Sequence, residues 1–130
     1  MLADARRQLE RLPPPEAHRL AQTGEVLLVD TRSLDEQRAQ GVVIPGALHH
    51  PLSVVAWRLD PDVPTRNPKP ALDTRIALIC REGYSSTLAA LWLRELGFVR
   101  ATDVVDGVAG WLAAGLPVEP FGGEHPPPAG

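Results

Sequence analysis

The chain has 130 residues, of which 44% are apolar and 22% charged, with a net charge of −3 and one cysteine. That length suits one domain with one core, and the composition is that of a soluble globular chain. The acidic balance argues against nucleic acid or an anionic membrane as partner, and a lone cysteine excludes an internal disulfide and any multi-cysteine metal site. No apolar run is long enough to cross a bilayer, and residues 1–15 lack the apolar stretch of a signal peptide. A free thiol is most at home in a reducing compartment, so the expected location is cytoplasmic.

Residues 2–12 carry Leu2, Leu9 and Leu12 among charged side chains and predict a short helical extension, ended by Pro13-Pro14-Pro15. Pro15 suits the first turn of a second helix, Glu16 to Gln22, which Gly24 stops. His18 on that helix has no second ligand at helical spacing and is expected in solvent. Val26-Leu27-Leu28-Val29 is a continuous apolar run, the pattern of a strand buried on both faces of a parallel sheet. Asp30 and Arg32 follow at its carboxyl end. Ser33-Leu34-Asp35-Glu36 fits a capping box that opens a helix to about Gln40. Gly41 to Gly46 reads as a turn and Ala47-Leu48-His49 as a short strand. His49 and His50 are adjacent on an extended chain, point to opposite faces, and make a poor chelating pair. Neither is a convincing general base. Leu52 to Leu59 reads as a helix bearing Trp57 as a core or lid residue. Asp60 to Asp73, with four prolines, reads as a stiff surface loop whose Arg66 and Lys69 can approach an active crevice.

Ile76-Ala77-Leu78-Ile79 is the second buried-strand pattern. Beyond the loop that follows it, Leu88, Leu91, Trp92 and Leu96 recur at helical spacing over Ser86 to Leu96, and Gly97 is a helix stop. Thr102 to Val105 predicts another short strand. Gly107 to Ala114 predicts a short helix with Trp111, ended by Gly115. Phe121 to Gly130, containing Pro126-Pro127-Pro128, is a polar, proline-rich tail predicted to be disordered. Strands alternating with helices predict one α/β domain, with a mostly parallel sheet of four or five strands flanked by helices.

The chemistry concentrates at Cys80. A residue at the carboxyl end of a parallel strand faces the crevice where open α/β sheets bind ligands. The next helix aims unpaired N–H groups and its positive dipole end back at that place. A tight loop containing Gly83 can curl further N–H groups into an anion-binding nest. Such a setting favours the thiolate; Arg81 adds to it and Glu82 works against it. A free cysteine is commonly a small buried hydrophobe. Cys80 closes an apolar strand, precedes a polar loop and is followed by a helix, which favours the nucleophile reading. Asp30 and Arg32, at the same sheet edge, read as a structural pair that ties down loops rather than as catalytic groups.

Cys80-Arg81-Glu82-Gly83-Tyr84-Ser85 resembles the six-residue active loop of a rhodanese domain, the sulfurtransferase fold. Three further segments are similar to that family in the same order. They are Val29-Asp30-Thr31-Arg32, Ile44-Pro45-Gly46-Ala47, and Val105-Asp106-Gly107 through Trp111 with Ala114-Gly115-Leu116-Pro117-Val118. The resemblance spans about residues 14–120, leaving 1–13 as an N-terminal helical extension and 121–130 as a tail. It implies a single rhodanese-like domain in which Cys80 takes a sulfane sulfur from thiosulfate or another persulfide donor. Cys80 would hold that sulfur as a persulfide cradled by Arg81, Glu82, Gly83, Tyr84, Ser85 and Ser86. A cyanide, thiol or partner-protein acceptor would then remove it. Asp30 and Arg32 would support the site, and no metal or organic cofactor would be required. The sequence departs from the family at Val42-Val43, where Gly-His commonly precedes Ile-Pro-Gly-Ala.

Two other functions fit the same scaffold less well. Cysteine phosphatases and arsenate reductases of related fold use a longer loop that ends in an arginine six positions after the cysteine. Here that position is Ser86, and the next arginine is Arg94. A non-catalytic binding, regulatory or redox-sensing domain is the third reading. Inactive relatives commonly lack the cysteine, and this chain keeps it.

Overall fold

The computed structural model describes residues 2–60, 62 and 70–122. Arg66, Lys69 and the tail from residue 123 lie outside the described residues.

Four short strands form one parallel sheet: β1 (Leu27–Asp30), β3 (Leu48–His49), β4 (Ile76–Ile79) and β5 (Thr102–Asp103), in the order β3-β1-β4-β5. β1 and β4 pair along their whole length, Leu27 with Ile76 through Asp30 with Ile79. Every residue of β4 is fully buried, as its unbroken apolar run requires of an inner strand.

The strand's alternation divides the core in two. Ile76 and Leu78 join Leu9, Val29, Val55, Leu59, Ala89, Ala90, Leu93 and Phe98 on one face of the sheet. This face is covered by α4 (Val55–Leu59) and α5 (Ser85–Glu95), with α1 (Leu2–Arg7) packed against α5. Ala77 and Ile79 join Leu12, Ala17, Leu20, Leu28, Val104, Val108 and Trp111 on the other. That face is covered by α2 (Pro14–Gln22) and α6 (Gly107–Ala113). The result is a three-layer α/β/α domain, the fold class that the strand and helix alternation predicts.

Local chemistry accounts for several boundaries. α3 (Leu34–Gln40) starts with the complete capping box: Glu36 N–H donates to Ser33 Oγ and Ser33 N–H to Glu36 Oε1, each at 3.1 Å. It stops at Gly41, which is left-handed at φ 77° and whose N–H donates to Gln37 O. Trp111 is buried and its indole N–H donates to Pro117 O at 3.0 Å, so the largest core side chain leaves no polar atom unmatched.

Elsewhere the packing departs from the pattern-based expectations. His18 is half-buried edge-on against Trp111 rather than solvated, with ring centroids 5.4 Å apart. Val42–Val43, expected in a turn, is a strand, β2, paired antiparallel with β6 (Glu119–Pro120), whose sequence carries no strand signal. The helix expected from Leu52 begins only at Val55, after a turn in which Val54 N–H donates to Pro51 O. Trp57 is 54% exposed and so is not a core residue. On α5 the sheet-facing side is Ser86, Ala89, Ala90 and Leu93, whereas Leu88 and Trp92 are about half exposed. Three of these four are small, which lets α5 pack against β4 and β5.

Candidate active site

Cys80 stands one residue beyond β4, buried at 4% exposure, where the chain turns into α5. The loop between them is held by its carbonyl groups. Cys80 O accepts from Val108 N–H at 2.8 Å, and Arg81 O accepts from Ala109 N–H at 3.1 Å, so the first turn of α6 secures the loop's start. Gly83 O accepts from Arg6 Nη2 at 3.1 Å and Arg11 Nη2 at 3.4 Å; Thr87 Oγ1 also lies 3.2 Å away, but its one proton goes to the nearer Asp103 carboxylate at 2.7 Å. In a planar trans peptide the C=O and N–H point in opposite directions. Fastening these carbonyls outward therefore turns the N–H groups of Arg81, Glu82 and Tyr84 the other way. Gly83 N–H donates directly to Cys80 Sγ at 3.1 Å. No side chain caps α5, whose N-terminal dipole end opens onto the same loop.

Two glycines make this closeness possible. Gly83 has φ 88°, and a Cβ there would lie 2.9 Å from the Asp106 backbone N. Gly107 has φ 56°, and a Cβ would lie 2.2 Å from Cys80 O. Only a residue without Cβ allows α6 to meet the loop backbone to backbone.

The expected site residues fall into three groups. Cys80, Gly83 and Ser86 are buried together, with the Cys80 thiol donating to Ser86 Oγ at 3.2 Å. Arg81, Glu82 and Tyr84 are exposed at the loop's rim, and Ser85 is half-buried. Arg81 Nε is 3.7 Å from Glu82 Oε1, so the two rim charges partly cancel. Asp30 and Arg32 form a buried ion pair at the end of β1. Arg32 Nη2 donates to Asp30 Oδ2 at 2.7 Å and Arg32 Nε to Asp30 Oδ1 at 3.0 Å. Gln37 donates to the same carboxylate, and the guanidinium also reaches Gln40 Oε1 and Val42 O. Gln40 in turn donates to Arg81 O at 3.4 Å, which links the pair to the loop. His49 Nε2 donates to Arg32 O at 2.7 Å.

Three residues that no sequence pattern marks complete the surroundings. Asp103, at the end of β5, is fully buried and accepts from Ser86 Oγ at 2.9 Å and Thr87 Oγ1 at 2.7 Å. Arg11 grips the same carboxylate with two nitrogens, at 2.8 and 3.1 Å. Arg6 reaches Gly83 O and lies over the Tyr84 ring at 5.9 Å. Their signal was invisible locally because Arg11 and Asp103 are 92 residues apart in sequence.

A cavity of about 980 Å³ lies elsewhere, lined by Leu27, Ala47, Leu48 and Arg75 near the amino ends of the strands. It is at the opposite end of the sheet from Cys80, so its size does not bear on the cysteine's chemistry.

The pattern of the rhodanese-like domain family matches residues 13–114. A curated protein named sulfurtransferase from Allochromatium vinosum is 34% identical over 102 residues, covering 78% of this chain and 86% of that one. Among solved structures, the human single-domain sulfurtransferase TSTD1 is similar with a TM-score of 0.67 and 28% identity, over 79% of this chain and 95% of that one. A Rhodopseudomonas palustris protein of unknown function, described as a possible tyrosine phosphatase, is similar with a TM-score of 0.79 and 27% identity. That similarity covers 91% of this chain and 90% of the other.

Proposed function

The chain belongs to the rhodanese-like sulfurtransferase family, and from that premise we propose that it transfers sulfane sulfur through a persulfide on Cys80. The observation that carries this reading is the Gly83 N–H on Cys80 Sγ, within a loop whose Cys80, Arg81 and Gly83 carbonyls are engaged by neighbouring segments. A terminal persulfide sulfur is an anion bound to Sγ. Converging N–H groups and the α5 dipole stabilise it as an oxyanion hole stabilises an oxyanion. In the first step the Cys80 thiolate attacks the outer sulfur of the donor, an S–S bond forms, and the donor's own bond to that sulfur breaks. With thiosulfate the leaving group is sulfite. In the second step cyanide, a thiol or a partner-protein thiol attacks the terminal sulfur, and the electron pair of the broken bond returns to Sγ. Asp30 and Arg32 support the loop through Gln40 and need not touch substrate. A thiol nucleophile of this kind suits a reducing, cytoplasmic setting. Among the described residues no helix is long and apolar enough to cross a membrane.

The description of the Rhodopseudomonas protein brings a phosphatase reading into view. A phosphate ester needs a cationic clamp on its oxygens. The position six after Cys80 is Ser86, which is engaged with Asp103, and Arg94 is bound to the carbonyls of Ala101 and Gln8. The sulfur reading is therefore the stronger. Intact-mass spectrometry after incubation with thiosulfate, and separately with glutathione persulfide, tests it. One added sulfur on Cys80, removed by cyanide with release of thiocyanate, is the expected result. A protein that takes sulfur from neither donor but hydrolyses an aryl phosphate would overturn it.

A further inference from the structure

We propose that Arg11 and Asp103 are positioning residues for sulfur transfer, acting on Cys80 through the hydroxyl of Ser86. This rests on the sulfurtransferase reading of Cys80 and adds to it a part of the chain that the family pattern does not span, since the match begins at residue 13.

Asp103 Oδ2 receives Thr87 Oγ1 at 2.7 Å, Ser86 Oγ at 2.9 Å and Arg11 Nη2 at 3.1 Å, while Oδ1 receives Arg11 Nε at 2.8 Å. A carboxylate oxygen has two lone pairs, so three donors on Oδ2 are one more than it needs. Ser86 has a single hydroxyl proton and two neighbours that can accept it, Oδ2 at 2.9 Å and Sγ at 3.2 Å. While Cys80 is a thiol, its S–H donates to Ser86 Oγ and Ser86 donates to Asp103. When the thiol proton leaves to solvent, Ser86 turns its own proton onto the thiolate. Asp103 then keeps Thr87 and Arg11, so the turn leaves no buried acceptor bare.

The same thiolate is the nucleophile of the first step and the leaving group of the second. One hydroxyl proton held ready for it therefore serves both, and no proton is consumed over the cycle. The arrangement has a charge requirement. Asp103 is fully buried one hydroxyl away from the sulfur, and a lone carboxylate there would oppose the thiolate. The other ionisable groups around the loop are Arg6, Arg81, Glu82 and the exposed Tyr84, Asp106 at the start of α6, and the Asp30–Arg32 pair at the end of β1. Arg81 faces Glu82, Arg32 faces Asp30, and Arg6 reaches Gly83 O. Arg11 is the cation that neutralises Asp103, with a side chain only 14% exposed.

The test measures the rate of Cys80 alkylation by iodoacetamide against pH in the parent, Arg11→Gln, Arg11→Lys and Ser86→Ala, with thermal melts to establish folding. Arg11→Gln is expected to move the alkylation midpoint upward. Arg11→Lys, which keeps the charge, is expected to restore most of that shift, and Ser86→Ala to move the midpoint upward in its own right. A folded Arg11→Gln with the parent's midpoint overturns the proposal. If Arg11→Gln does not fold, an unmoved midpoint in Ser86→Ala overturns it equally. Alkylation does not require sulfur transfer, so the two readings fail separately. Sulfur uptake with unmoved midpoints removes this network alone, whereas shifted midpoints in a parent that takes up no sulfur uphold the network and remove the sulfurtransferase assignment.

Discussion

Gly83→Ala is the substitution whose effect follows most directly from the geometry. At φ 88° any residue with a Cβ is strained, by about 1–2 kcal/mol in the left-handed region. The added carbon would also lie 2.9 Å from Asp106 N, 3.1 Å from Asp106 Cα and 3.3 Å from Gly107 N. These are backbone atoms, and they cannot retreat, because Val108 and Ala109 N–H hold the start of α6 to Cys80 O and Arg81 O. The loop itself must move away, at a further cost of about 1–3 kcal/mol by analogy with overpacked cores. Gly24→Ala supplies the control: its φ is 81° and nothing lies within 4 Å of the new carbon. The difference between the two variants in chemical or thermal unfolding isolates the clash, each kcal/mol being roughly 3–5 °C in Tm for a chain of this length. Moving the loop also breaks the Gly83 N–H bond to Sγ, so turnover with a sulfane donor should fall about 100-fold or more, as when an oxyanion-hole donor is removed. If Gly83→Ala melted with Gly24→Ala and turned over like the parent, the account of the loop as a backbone cradle pressed against α6 would be wrong.

Cys80→Ser should fold as the parent does and take up no sulfur from any donor, because the serine hydroxyl stays protonated where a thiol ionises; persulfide detected by mass spectrometry in this variant would remove Cys80 from the mechanism. Glu82 is half exposed at the rim, 3.7 Å from Arg81, and thiosulfate approaches as a dianion. Glu82→Lys should raise kcat/KM for thiosulfate about tenfold at low ionic strength, with the gain shrinking as salt is added. A gain indifferent to salt would mean that Glu82 does not face the donor's path. Arg32→Leu leaves the Asp30 carboxylate buried without its cation, so unfolding free energy should drop by about 3–5 kcal/mol in urea titrations. A drop below 1 kcal/mol would show the pair to be solvated in the working protein.

Much of this protein could be read from short-range pattern. The apolar runs that became β1 and β4 are self-announcing, since a strand buried on both faces has no room for polar alternation. Ser33 and Glu36 announce the start of α3 because both partners of a capping box lie within one turn. The setting of Cys80 was legible for the same reason: strand, glycine-bearing loop and helix follow one another within a few residues.

What pattern did not reveal depends on contacts between distant segments. The apolar spacing on α5 includes Leu88 and Trp92, yet packing buries Ser86, Ala89, Ala90 and Leu93, because which side of the helix meets the sheet is set by how α5 docks on β4 and β5 and not by the spacing alone. β2 and β6 each supply two residues whose pairing exists only once the chain has closed on itself. Nothing local in the sequence ties Asp103, Arg11 and Arg6 to one another; they became part of the cysteine's surroundings because Leu12 pairs beside Val104 and carries the N-terminal segment along β5. Periodicity records which face of an element avoids water. It carries no record of which charge will meet which across the fold, and at this site the tertiary structure alone decided that.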